Sequence, residues 1–175
     1  MLYSSLLAIL TAALPPPIAT AGAGAPIQIR NLSSGRCLDV PGGQGHNHLQ
    51  IQQYECRQGG DTWVSAQLWQ LNKIGDYVQI QNPRSGRCLD VPDGRAENHI
   101  TIQQYDCRNR GDRWLSAQLW ELERLNGYVQ IRNLRTGLCL DMPLGKSDNH
   151  LIVQQYTCRD VGDRWLKGQL WELGR

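Results

Sequence analysis

At 175 residues, with 18 Lys and Arg against 16 Asp and Glu, the chain is one domain's worth of sequence with nearly balanced charge. The basic residues are scattered and form no stripe, which argues against nucleic acid as a partner. No apolar run approaches the ~20 residues of a spanning helix, so membrane insertion is not expected. The aromatic inventory is lopsided, with six Trp and six Tyr but no Phe, and most of these rings recur at fixed positions.

The first charged side chain is Arg30. Before it, an apolar segment (6–14) precedes three prolines and a tract of Ala and Gly. Residues 1–23 resemble a secretory signal peptide, although the basic residue usual near its start is missing. Ala21 and Ala23 offer cleavage positions, whereas cleavage after Ala25 would set Pro26 beside the scissile bond. The expected mature domain, 24–175, is therefore secreted and extracellular.

Three near copies of a 51-residue unit then follow without a gap, at 27–77, 78–128 and 129–175. They open at Ile27, Val78 and Val129 and close with Gln-Leu-Trp at Gln67, Gln118 and Gln169. A unit this small cannot bury a core alone, so the copies must pack together. In the first copy, Ile27 and Ile29 alternate with Gln28 and Arg30, which predicts a strand. Ser33-Ser34-Gly35 marks a turn, matched by Arg84-Ser85-Gly86 and Arg135-Thr136-Gly137. Leu38 and Val40 alternate with Cys37 and Asp39 in a second strand. A polar Gly/Pro loop leads to a third strand near Ile51–Cys56, and a fourth lies around Leu68–Leu71. The total is about twelve short strands with no amphipathic helix, an all-β sheet that must close or stack to protect its edges.

The six cysteines fall two to a unit: Cys37 and Cys56, Cys88 and Cys107, Cys139 and Cys158. An even number behind an export signal predicts disulfides. Repetition leaves two natural pairings, within each unit or from one unit to the next. The first closes a short loop and is worth on the order of 3 kcal/mol per bridge. No CxxC or close Cys/His cluster suggests zinc, and no metal or cofactor is expected.

If Cys37 and Cys56 face each other across an antiparallel pair, Asp39 stands opposite Tyr54, and Gln52 shares their face. The same cluster recurs as Asp90, Gln103 and Tyr105, and as Asp141, Gln154 and Tyr156. A carboxylate accepts hydrogen bonds from adjacent sugar hydroxyls, an amide both donates and accepts, and a flat ring covers the apolar face of a pyranose. The competing reading has Asp and Gln bracing a hairpin while Tyr packs inward.

These residues resemble the ricin B-type lectin family, a β-trefoil built from three Gln-x-Trp units. The resemblance runs from Ile27 to Leu173 and joins three Gln-x-Trp motifs, three Cys-Leu-Asp motifs and matching cysteine spacing in one register. It implies a six-stranded barrel capped by three hairpins, cysteines paired within units, and a shallow sugar site on each unit. It also implies that Asp, Gln and Tyr of each cluster hold the sugar. Gln67, Trp69, Gln118, Trp120, Gln169 and Trp171 would mainly hold the fold, with each Gln near its site.

One departure bears on specificity. Galactose-binding members often carry Asn just before Gln-x-Trp; here the residues are Ala66, Ala117 and Gly168. The segment ahead of them is longer than usual and adds Asp61 with Trp63, Asp112 with Trp114, and Asp163 with Trp165. Two readings stand: these residues replace the lost sugar contact, or the tryptophans pack beneath an enlarged loop whose turn the aspartates shape. Arg57, Arg108 and Arg159 are expected as solvated surface residues. His48, His99 and His150, each after an Asn, are expected at the edge of a sugar site. Asn31-Leu32-Ser33 fits a glycosylation sequon.

The expected function is a secreted lectin with up to three equivalent sites that binds glycans or polysaccharides without catalysis and is monomeric. The sequence names no enzymatic or toxin partner. A β-trefoil protein-binding scaffold such as a protease inhibitor is one alternative; a glycoside hydrolase, which needs paired carboxylates, is another.

Overall fold

The computed structural model describes residues 24–174; the expected signal segment, 1–23, lies outside the described residues. Twelve strands appear in chain order. The first repeat supplies β1 (Gln28–Asn31), β2 (Cys37–Asp39), β3 (Gln52–Tyr54) and β4 (Gln70–Ile74). The second supplies β5 (Tyr77–Asn82), β6 (Arg87–Asp90), β7 (Gln103–Asp106) and β8 (Leu119–Leu125). The third supplies β9 (Tyr128–Asn133), β10 (Cys139–Asp141), β11 (Gln154–Tyr156) and β12 (Leu170–Gly174). Only short 3-10 turns interrupt them, and no described helix is long and apolar enough to cross a membrane.

Six of the strands close on themselves. β1 pairs with β12, β12 with β9, β9 with β8, β8 with β5, and β5 with β4. An isolated bridge between Ile27 and Trp69 completes the ring, with N···O distances of 2.8 and 2.9 Å. Closure removes the edges that an open sheet of this length would expose. The remaining strands form the hairpins β2–β3, β6–β7 and β10–β11 at one end of the barrel. This is the β-trefoil that the family resemblance implies.

The core lies on the threefold axis. Trp69, Trp120 and Trp171 are fully buried, and each indole Nε1 donates to the carbonyl of Leu38, Leu89 or Leu140, at 3.0, 3.3 and 3.2 Å. The Gln-x-Trp motif thus ties each barrel strand to the hairpin of its own repeat. Where the hairpins meet, Ile51 N–H donates to Ile102, Ile102 to Val153 and Val153 to Ile51, each at 2.9 Å. Those three residues are spaced one repeat apart, so the ring of bonds is itself threefold. Asn31, Asn82 and Asn133 are fully buried, and their side chains bind carbonyls of the preceding repeat's last loop (the third repeat's, for Asn31). The sequon at Asn31 therefore encodes a turn brace and not an accessible attachment point.

Cysteines pair within repeats: Cys37 with Cys56, Cys88 with Cys107 and Cys139 with Cys158. Their geometry corrects the expected register. Asp39 stands opposite Gln52 and Cys37 opposite Tyr54, two residues from the expected pairing. The other hairpins agree, with Cys88 opposite Tyr105 and Cys139 opposite Tyr156. Each disulfide is therefore diagonal. Cys56, Cys107 and Cys158 lie beyond the ends of β3, β7 and β11, with each Cα 5.0 Å from that of its partner. A shift of two preserves the face, so the predicted cluster survives it.

Two strand boundaries also move. The third strand stops at Tyr54 in the first repeat, short of Cys56. The fourth is longer than expected because its outer half makes a hairpin with the next repeat, pairing Ile74 with Tyr77 and Leu125 with Tyr128.

Trp120→Ala removes a fully buried indole and the donor to Leu89 O. It is expected to cost about 3–5 kcal/mol, measurable by urea denaturation.

Candidate functional site

Each Cys-Leu-Asp strand ends on an aspartate that is almost fully buried: Asp39, Asp90 and Asp141 are only 2–3% exposed. Gln52 Nε2 donates to Asp39 at 2.7 Å, Gln103 to Asp90 at 2.7 Å and Gln154 to Asp141 at 2.8 Å. The Gln-x-Trp glutamine takes the other carboxylate oxygen in the first two repeats, Gln67 at 3.2 Å and Gln118 at 3.1 Å. Gln67 also donates to Glu55 O and accepts from Arg57 N and Gln28 Nε2, so it is rigidly held. A carboxylate has about four acceptor positions, so roughly two per aspartate remain for a ligand.

Burial pushes all three carboxyl pKa values up, opposed by the glutamine hydrogen bonds and then by the nearby arginine. Asp61, Asp112 and Asp163 behave oppositely: the backbone N–H of the tryptophan two residues on holds each carboxyl below the usual value, with help from the arginine.

The tyrosines are half-buried beside this network. The guanidinium of Arg57 lies 4.6 Å above the Tyr54 ring, Arg108 4.8 Å above Tyr105 and Arg159 4.7 Å above Tyr156. The same arginines reach Asp61, Asp112 and Asp163 at 3.2–3.3 Å. They are therefore not the solvated surface residues expected: a ring on one side and a carboxylate on the other hold them down. The guanidinium covers one face of each tyrosine, which narrows the ring surface open to a ligand.

The added loop bears out the turn-shaping role of the aspartates but not the packing expected of the tryptophans. Asp61 Oδ1 accepts from Trp63 N at 2.7 Å, and Asp112 and Asp163 do the same for Trp114 and Trp165, so the aspartates shape the turn. The tryptophans, however, do not pack beneath it. Trp63 is 44% exposed and lines the first cleft with Asp39, Gln52, Tyr54 and Arg57. Trp114 lines the second, and Trp165 is 37% exposed. Arg84 of the second repeat stacks on Trp63 at 4.8 Å, and Arg135 of the third on Trp114 at 4.5 Å. Those arginines pass so close to Gly43 and Gly94 that a Cβ there would overlap them, and both glycines have positive φ. Only glycine meets both demands.

Ala66 and Ala117 line the clefts where the family's asparagine would stand. At Gly168 a Cβ would come within 3.1 Å of Met142 O, a tight approach that the backbone would have to relax by a few tenths of an ångström to admit.

Sequence reasoning missed where the histidines go. His48 of the first repeat meets the second repeat's Gln103 and Tyr105; His99 meets Gln154 and Tyr156; His150 meets Gln52 and Tyr54. The first two clefts thus contain a side chain from another repeat, and His99 makes the equivalent contacts at the third site. The cleft rims also differ: Gly42, Asp93 and Leu144 occupy equivalent turn positions, all with positive φ, and Asp93 and Arg113 both line the second cleft.

Fold and clefts together define a β-trefoil of the lectin type. Family models agree: residues 18–105 match the ricin-type beta-trefoil lectin domain-like family, and residues 76–175 match the ricin-type beta-trefoil lectin domain. The chain belongs to the ricin-type β-trefoil lectin domain family. Beta-galactoside-specific lectin 3 of Viscum album is 32% identical over 134 residues, covering 77% of this chain and 21% of its own length. The chain thus spans about a fifth of that relative. The exo-beta-1,3-galactanase 1,3Gal43A of Clostridium thermocellum contains a similar structure, with TM-score 0.72 and 30% identity over 86% of this chain and 30% of that one. The designed three-fold symmetric protein ThreeFoil matches with TM-score 0.73 and 25% identity, over 86% and 98% of the two chains.

The raised pKa values carry a sign for stability. Each folded-state value lies above the unfolded 3.8, so this contribution is fully present below pH 3.8 and is lost as pH rises through the raised value. Asp90→Asn removes one such group. The stability of the variant relative to wild type is expected to climb across that window, as read from urea midpoints at stepped pH.

Proposed function

We propose that the protein is a secreted, monomeric lectin that binds glycans or polysaccharides through its three clefts without catalysis. The observation that carries this reading is the thrice-built cluster of a buried carboxylate, an amide fixed on it, and aromatic surface beside both. Such a cluster offers hydroxyl acceptors and an apolar wall at once, which is what a pyranose requires. Asp39, Gln52 and Tyr54, with their equivalents, are assigned to the sugar, and Trp63, Trp114 and Trp165 extend the aromatic wall. The names of the Viscum lectin and the Clostridium galactanase make β-galactosides and β-1,3-galactan the first ligands to try, although the usual asparagine is replaced by Ala66, Ala117 and Gly168. The three within-repeat disulfides support an extracellular location.

Asp61 does not serve as a free second carboxylate, because Trp63 N and Arg57 hold it. That supports binding over hydrolysis. A shallow site with a millimolar constant supplies only about −4 kcal/mol, and three on one rigid body raise avidity by roughly 10²- to 10⁴-fold.

The test uses immobilised β-1,3-galactan, xylan and mannan, with near-ultraviolet circular dichroism as the control for folding. Wild type is expected to be retained on at least one polysaccharide and to release no new reducing ends. Asp39→Ala, Asp90→Ala and Asp141→Ala together are expected to abolish retention. Retention by the folded triple variant would show that the sites lie elsewhere.

A further inference from the structure

The histidine loops carry an observation that the lectin reading does not use. Each loop crosses from its own repeat to the neighbouring hairpin and is fixed there by backbone bonds. His48 N donates to Gln104 O at 3.0 Å and Gln104 N to Leu49 O at 2.9 Å, and the other two loops repeat the pattern. The histidines have φ of 65–67°, a left-handed backbone that a side chain rarely adopts. Glycine would take that conformation without strain, yet all three repeats hold an exposed imidazole there.

The hydrogen-bond chain sets the state of that ring. Gln103 gives its amide N–H to Asp90, at 2.7 Å, so its Oε1 faces the histidine. A carbonyl oxygen only accepts, so Nδ1 of His48, 3.2 Å away, must carry the proton. In the neutral ring the other nitrogen, Nε2, is then an acceptor. No hydrogen bond within the described residues engages it, and His48 lines the second cleft with Asp90 and Tyr105. His150 lines the first cleft with Asp39 and Tyr54, and its Nδ1 is 3.1 Å from Gln52 Oε1. His99 repeats the arrangement against Gln154 at 3.1 Å.

The geometry points to a binding residue supplied in trans: each cleft takes a sugar-hydroxyl acceptor, histidine Nε2, from the preceding repeat, in the closed cycle His48 to cleft two, His99 to cleft three and His150 to cleft one. This rests on the lectin reading and adds that no repeat carries a complete site. The ligand feature it selects is a hydroxyl that donates toward the histidine while its neighbour donates to the aspartate, as a vicinal diol does.

The test uses the full chain and reads the ring resonances of Tyr54, Tyr105 and Tyr156 by NMR during titration with β-1,3-galactobiose, xylobiose and mannobiose. His48→Phe keeps a ring against Tyr105 and removes Nε2; His48→Asn suits the left-handed backbone and removes the ring. In both, the affinity reported by Tyr105 is expected to fall about tenfold, while Tyr54 and Tyr156 respond as in wild type and the thermal midpoint holds. Loss at Tyr54 instead would place the histidine in its own repeat's site. Unchanged affinity at all three rings would remove it from the site. Either result overturns the proposal while leaving the lectin reading intact. No response of any tyrosine in wild type would overturn both.

Discussion

The small ring of backbone hydrogen bonds among Ile51, Ile102 and Val153 is the constraint on which the rest of the molecule depends. All three residues are fully buried, so an unmade bond there would leave a polar group without water. One repeat cannot satisfy this demand, because each donor finds its acceptor in the next copy. The ring therefore commits the chain to three interlocked units, and it fixes the loop just before each of these residues against a foreign hairpin. The barrel below serves the same end, since its closure between Ile27 and Trp69 joins the two ends of the first repeat.

The clefts inherit that interlocking. Asp39 and its equivalents are pinned by glutamines of their own repeat, but the histidine beside them comes from the preceding repeat, and the arginine behind Trp63 or Trp114 comes from the following one. The first two clefts thus draw on all three copies. Burying the carboxylates costs stability, as their raised pKa values show, and the glutamine amides offset part of that cost. A pre-aligned carboxylate needs no reorganisation when a hydroxyl arrives, which is a sound use of that cost at a binding surface.

Threefold symmetry is strict in the hairpin floor and relaxed at the rim. Arg84 and Arg135 brace Trp63 and Trp114, but the equivalent residue of the first repeat is Ser33, which bonds Gly145 O and stacks on nothing. Arg113 lies 5.2 Å from the centre of Trp114 and Arg164 4.9 Å from that of Trp165, where Thr62 has no charge to offer Trp63. With Gly42, Asp93 and Leu144 at the lip, the three openings share a floor and differ in charge and shape.

The sequence by itself determined the architecture and the membership of the cluster. A 51-residue period with alternating apolar positions specifies three strand-built units, and parity along a strand puts Gln52 and Tyr54 on one face, which Asp39 shares in any register shifted by an even number of residues. The register itself was not legible, because a diagonal disulfide between Cys88 and Cys107 and a directly opposed one leave the same cysteine spacing. Nor did the pattern reveal that Arg57 would lie on Tyr54, since cation–ring contact depends on where a loop folds back. Most hidden was the source of each histidine. In a repeated sequence, a residue that serves its own unit and one that serves the neighbour leave the same periodic trace. Only the closed tertiary ring, in which His48 N reaches Gln104 O, decided between them.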